Sequence, residues 1–194
     1  MSIINVVGAK IWGGGEQYVY DICKQLQQRH RTAYILVDQS NEDMQSRYAQ
    51  VGHVMTANLY TLKGFLSVNA VAKQVKAQGI DTIVCHSGKY ILFCIALKQL
   101  TGAKLVFIKH NLVPGKTDMY HRWINAQVDA FVCVSKLVYD DLMTPVIKDT
   151  SKYHVVYNGI DPNRFQSFSD DVPMKSKVRT FGYSARITER KGLY

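Results

Sequence analysis

The chain has 194 residues, 47% of them hydrophobic and 20% charged. That balance excludes a disordered tail and fits one domain, or one domain and the start of another. Lys and Arg outnumber Asp and Glu by 24 to 15, a formal charge of +9. A surface of that sign favours phosphates, acidic headgroups or nucleic acid, and the cations are too scattered to form one basic block.

The first ten residues, MSIINVVGAK, carry no basic stretch ahead of an apolar run, so they do not read as a signal peptide. The longest apolar run, 90–97, is far short of the roughly 20 residues that cross a bilayer. Cys23, Cys85, Cys94 and Cys133 each sit in apolar sequence without C-x-x-C pairing. They are expected to be small buried hydrophobes in a reducing compartment, not zinc ligands. The expected location is the cytoplasm, with peripheral contact at the inner membrane face.

Strands are predicted at 3–7, 33–37, 82–85, 105–108, 130–134 and 154–157. Most are unbroken and rich in Val and Ile, which suits strands covered on both faces. Helices are predicted at 16–29, 65–78, 90–100, 119–126 and 136–143, with Gly79 closing the second. The alternation implies an α/β fold, a Rossmann-like doubly wound parallel sheet. After Phe165 the sequence turns polar; 166–177 reads as a linker and 178–183 as a new strand leading into Arg186 and Lys191. The domains are therefore expected at 1–165 and from 178 onward, the second cut off at its start.

The first strand runs into Trp12-Gly13-Gly14-Gly15-Glu16 and then a helix. Glycines let backbone amides approach a phosphate, and a helix N-terminus adds partial positive charge. The spacing is not the dinucleotide fingerprint, because Tyr18 stands where the third glycine would be. Asp38 nonetheless follows the second strand, where a ribose-binding acid would sit, and keeps a nicotinamide-dependent oxidoreductase as an alternative. His86 and His110 each end a strand; in open α/β sheets that edge holds the ligand. The segment 112–123 mixes Lys116 and Arg122 with Leu112, Val113, Met119, Tyr120 and Trp123. It suits either a membrane interface or a helix packing Met119, Trp123 and Ile124 inward.

Taken in order, Gly13-Gly14-Gly15-Glu16, Lys109-His110-Asn111, Val132-Cys133-Val134-Ser135-Lys136, Val156-Tyr157-Asn158-Gly159-Ile160-Asp161 with Phe165, Gly182-Tyr183-Ser184-Ala185-Arg186 and Lys191-Gly192 resemble a retaining glycosyltransferase of the GT-B fold, family 4 type. The resemblance implies an N-terminal, acceptor-side domain and the first strand of a donor-binding domain. It places Gly14, Gly15, Arg186 and Lys191 at the donor diphosphate and His110 near the transferred sugar, as the catalytic candidate. Glu16, His86, Lys109, Asn111, Lys116 and Ser135 are the acceptor- or sugar-binding candidates.

Arg and Lys would stabilise charge developing on the leaving diphosphate. No D-x-D motif occurs, so no metal and no cofactor are expected, and a UDP- or GDP-hexose would be a substrate. The expected acceptor is a cell-envelope glycan or a lipid-linked one. The +9 charge also allows a non-catalytic membrane-docking module, whereas aromatic interleaving for nucleic acid is lacking. The E-x7-E motif of the second domain is absent, so this chain alone is expected to be inactive.

Overall fold

The computed structural model describes residues 2–60, 62–143 and 150–161. Among these, seven strands are β1 (Ile3–Val7), β2 (Tyr34–Asp38), β3 (His53–Ala57), β4 (Thr82–Cys85), β5 (Lys104–Lys109), β6 (Ala130–Cys133) and β7 (Tyr153–Val155). They form one sheet in the order β3-β2-β1-β4-β5-β6-β7, every pair parallel. The connecting helices are α1 (Gly14–Gln28), α2 (Glu42–Tyr48), α3 (Leu62–Ala77), α4 (Ile91–Thr101), α5 (Met119–Gln127) and α6 (Lys136–Leu142). A short 3₁₀ turn, Gly88–Tyr90, precedes α4. The expected doubly wound α/β sheet is thus what the chain builds.

Apolar residues fix which face each helix covers. Val7, Ile35 and Val37 lie on one face with Val19 and Cys23 of α1 and Met44 and Tyr48 of α2. Ile4, Val6, Ile83, Leu105, Phe107 and Phe131 lie on the other with Val71 and Val75 of α3 and Cys94 and Leu97 of α4. Each such side chain, once fully buried, contributes about 1.5–3 kcal/mol. Phe131 stacks on Tyr153 at 4.6 Å and meets Phe107 edge-on at 5.9 Å, tying β7 and β5 to β6. All four cysteines are free and buried, as expected of small hydrophobes.

Gly79 ends α3 at φ +61°, a left-handed backbone that lets Ile80 N–H reach the Val75 carbonyl at 3.0 Å. Two elements, α2 and β3, were not expected from the sequence. α2 buries only Met44 and Tyr48, one turn apart, and β3 is an edge strand with only Ala57 buried. Neither carries the long apolar pattern by which a helix or a doubly covered strand announces itself.

The chain divides into two compact units, Met1–Asn158 and Gly159–Tyr194. The expected linker at 166–177, the strand at 178–183, and Arg186 and Lys191 lie outside the described residues. Among the described residues, no helix is long and apolar enough to cross a membrane.

Candidate functional site

β1 lies inside the sheet next to β4, where the strand order reverses, and α1 leaves from its carboxyl end. This is the topological position at which open α/β sheets hold ligands. The first turn of α1 has no side-chain cap: Gly13 stands at the cap position, extended at φ −150°, and only its carbonyl is engaged, by Gln17 N–H at 2.9 Å. The leading amides of the helix therefore face outward as hydrogen-bond donors.

The glycines themselves are informative. A Cβ on Gly8 would stand 2.8 Å from the Tyr90 ring, so that glycine serves packing. A Cβ on Gly14 would meet nothing within 4 Å, and one on Gly15 only the His110 ring at 3.9 Å. Neither has a positive φ. The fold does not need glycine at 14 or 15, and a tight turn does not account for them. What the missing side chains provide is access to the helix amides.

The glycine loop is held from below. Trp12 donates Nε1–H to Gln17 Oε1 at 3.1 Å, packs against Tyr48 at 5.4 Å and lies 5.0 Å beneath the Arg47 guanidinium. Asn41 ties the loop to α2 through its amide, donated to the Ala9 carbonyl at 2.9 Å. Tyr48 in turn donates its hydroxyl to the Glu16 carbonyl at 2.9 Å.

Beside Gly15 stand two imidazoles. His86 Nδ1 and His110 Nε2 are 3.0 Å apart, and the rings stack with centroids at 5.3 Å. His86 Nε2 lies 3.1 Å from Asn5 Oδ1, deep in β1. Tyr18 of α1 presents an edge to both rings, 5.2 Å from His110 and 6.2 Å from His86. Burial, with His110 adding, pushes the His86 pKa down to about 3; burial also lowers that of His110. Both rings are neutral at pH 7.

The other expected residues are spread more widely. Glu16 is half-buried in the first turn of α1. The Tyr60 hydroxyl has a raised pKa, first from burial and then from the charges of Asp38 and Glu16. Lys109 does not join His110: its ammonium stands 5.5 Å over the Phe107 ring, on the opposite face of β5 from Tyr18. Burial lowers its pKa, helped by Lys116 and opposed by Cys133 and Asp141. Asn111 and Lys116 are exposed on the loop after β5. Ser135 caps α6, its hydroxyl accepting Val138 N–H at 3.2 Å.

Two sequence expectations change. Asp38 is buried, and both of its oxygens are engaged: one accepts from Ser40 N–H at 3.0 Å, the other from Leu59 N–H at 2.9 Å. It closes the loops after β2 and β3, which removes the ribose-binding acid that an oxidoreductase reading needs. Among the described residues only Ile124 of α5 packs inward; Met119 is 87% and Trp123 48% exposed, and no described element covers that face of the helix. Asn5 and Tyr18 were not foreseen. The signal for Asn5 was present: one amide inside the otherwise apolar run Ile3-Ile4-Asn5-Val6-Val7. Among the described residues, no group of three or more His, Cys, Asp or Glu could hold a metal ion.

An all-parallel sheet in this order, with a glycine-opened helix and polar residues at its carboxyl edge, is the Rossmann-like fold of GT-B glycosyltransferase N-terminal domains. The sequence matches Glycosyltransferase Family 4 over residues 12–164, and the chain belongs to that family. The fold is similar to a glycosyltransferase from Rickettsia africae, with TM-score 0.72 and 19% identity over 84% of this chain and 44% of that one. It is also similar to Anabaena Alr3699/HepE in complex with UDP-glucose, with TM-score 0.67 and 18% identity over 87% of this chain and 47% of that one. A lipopolysaccharide outer core galactosyltransferase, WaaB, has TM-score 0.58 and 15% identity over 82% of this chain and 46% of that one. This chain thus spans less than half the length of each. No curated protein matches the sequence.

Proposed function

We propose that this chain supplies the acceptor side of a retaining enzyme that moves a hexose from a nucleotide-sugar donor to a cell-envelope glycan or lipid-linked acceptor. One observation carries the reading: an uncapped helix N-terminus, bare of side chains at Gly14 and Gly15, faces the same edge as the His86–His110 pair. The helix amides can take an anionic diphosphate, and the imidazoles lie within reach of the sugar attached to it. The UDP-glucose in complex with the Anabaena neighbour, and the lipopolysaccharide outer core galactosyltransferase WaaB among the similar folds, support the choice of substrate classes.

His110 is the group placed at the transferred sugar, with Arg186 and Lys191 assigned to the leaving diphosphate. Residues 1–165 form the acceptor-side domain, and the sequence from 178 opens the donor domain, joined by 166–177. The exposed apolar side chains Leu112, Val113, Met119, Tyr120 and Trp123, next to Lys116 and Arg122, suit peripheral contact with the anionic cytoplasmic face of a membrane.

The test is transfer by the whole protein, with UDP- and GDP-hexoses offered in turn and lipid-linked or oligosaccharide acceptors supplied. The expected result is turnover with one donor and none by the 194-residue chain alone. Neither transfer nor donor hydrolysis with any of them would overturn the reading.

A further inference from the structure

The two histidines and Asn5 form a chain of hydrogen bonds whose direction can be worked out from its inner end. Asn5 is 3% exposed. Its amide nitrogen is turned toward Cys23 Sγ at 3.9 Å, which leaves its carbonyl oxygen facing His86 Nε2 at 3.1 Å. A carbonyl oxygen only accepts, so the proton in that contact belongs to His86 Nε2. A neutral imidazole has one N–H, and the other nitrogen is then a bare lone pair. His86 Nδ1 is that lone pair, so the hydrogen across the 3.0 Å contact comes from His110 Nε2.

The consequence falls on the outer ring. With its own proton turned inward, neutral His110 keeps Nδ1 unprotonated. Among the described residues Nδ1 has no hydrogen-bond partner, and it is not one of the buried polar atoms left unpaired. It is the one ring nitrogen of the pair that is open to a ligand.

We propose that Asn5 and His86 are positioning residues that lock His110 in its Nε2-protonated form, so that Nδ1 is offered as an acceptor to a sugar hydroxyl and not to a phosphate oxygen. The assignment rests on reading this edge as the donor site, and it divides the labour there. The amides at the start of α1 are donors and take phosphate oxygens; His110 is an acceptor and takes a hydroxyl. A phosphate oxygen against Nδ1 would set lone pair against lone pair. The low proton affinity of both rings agrees with this, since a charged His110 would donate from both nitrogens.

Nitrogen-15 NMR of the histidine side chains in the 194-residue chain at pH 7 tests the lock, because two-bond nitrogen–proton correlations separate the two neutral tautomers. A His110→Gln spectrum identifies the His110 signals. The wild type is expected to show both rings neutral and protonated on Nε2. Asn5→Leu removes the acceptor that orients His86, and His110 is expected to gain an Nδ1-protonated population. His86→Asn keeps an amide oxygen to accept from His110 and should preserve the single form, whereas His86→Leu should lose it.

If Asn5→Leu fails to fold, the two His86 variants carry the comparison. A wild-type His110 that is charged or protonated on Nδ1 would overturn the lock. So would a His110 tautomer unchanged in the folded Leu variants. Transfer activity does not enter this readout, so the lock and the proposed transferase function can fail separately.

Discussion

α6 follows β6 and begins at Ser135, whose hydroxyl accepts the Val138 amide hydrogen at 3.2 Å. α1 follows β1 and begins at Gly13, which has no side chain to do the same. α2 and α5 resemble α6: Asn41 accepts from Met44 N–H and Asp118 from His121 N–H. Three helix starts are thus closed by their own sequence, while α1 is left open where the strand order reverses, beside two neutral imidazoles. A cap is worth about 1 kcal/mol where Ala would replace it. α1 forgoes one, and what it retains is a set of unengaged donors. The difference separates amides spent on folding from amides available to a ligand.

The largest way to break this comparison is His110→Ala. In the whole protein kcat should fall by about 100-fold, the scale of one lost transition-state hydrogen bond. The melting curve of the chain should show that it still folds; wild-type turnover would remove His110 from the site.

Acid sharpens the contrast next. His86 holds a proton less tightly when folded, about 3 against an ordinary 6.5. The unfolded chain therefore binds the proton first as pH falls below 6.5, and stability declines continuously toward pH 3. For one such proton the slope approaches about 1.4 kcal/mol per pH unit. Urea melts at stepped pH should show this fall, and His86→Asn should flatten part of it.

Gly14→Asp comes third. The site has room, and an acidic group in the first turn suits the helix dipole, so stability should hold or rise slightly. The KM for the nucleotide sugar should rise about tenfold, as one added anion opposes the diphosphate. An unchanged KM would argue that no phosphate sits there. The smallest effect is at the closed helix: Ser135→Ala should cost about 1 kcal/mol in urea-melt stability. A loss near zero would mean that the α6 cap contributes little.

Much of this was legible in the residues. The unbroken Val- and Ile-rich runs located six strands, because strands covered on both faces need no alternation. α2 and β3 escaped because a seven-residue helix burying two side chains and a half-exposed edge strand leave no period to read. The glycine loop and the two strand-end histidines were visible one at a time. Their contact was not, since 24 residues separate His86 from His110 and only the pairing of β4 with β5 brings them together. Asp38 and Ser135 show the reverse limit. Each has the residue type a site would use, but backbone amides of neighbouring loops and helices claim Asp38 twice and Ser135 once.

The chain holds two tryptophans, and the fold puts them at different surfaces. Trp12 is wedged under the glycine loop between Arg47 and Tyr48, while Trp123 stands half-exposed on α5. They amount to two built-in optical probes with separate audiences. In a Trp123→Phe background, emission comes only from the anchor beneath the helix start and should respond to a bound anion. In a Trp12→Phe background, it comes only from the apolar face of α5 and should shift to the blue on vesicles that the face enters.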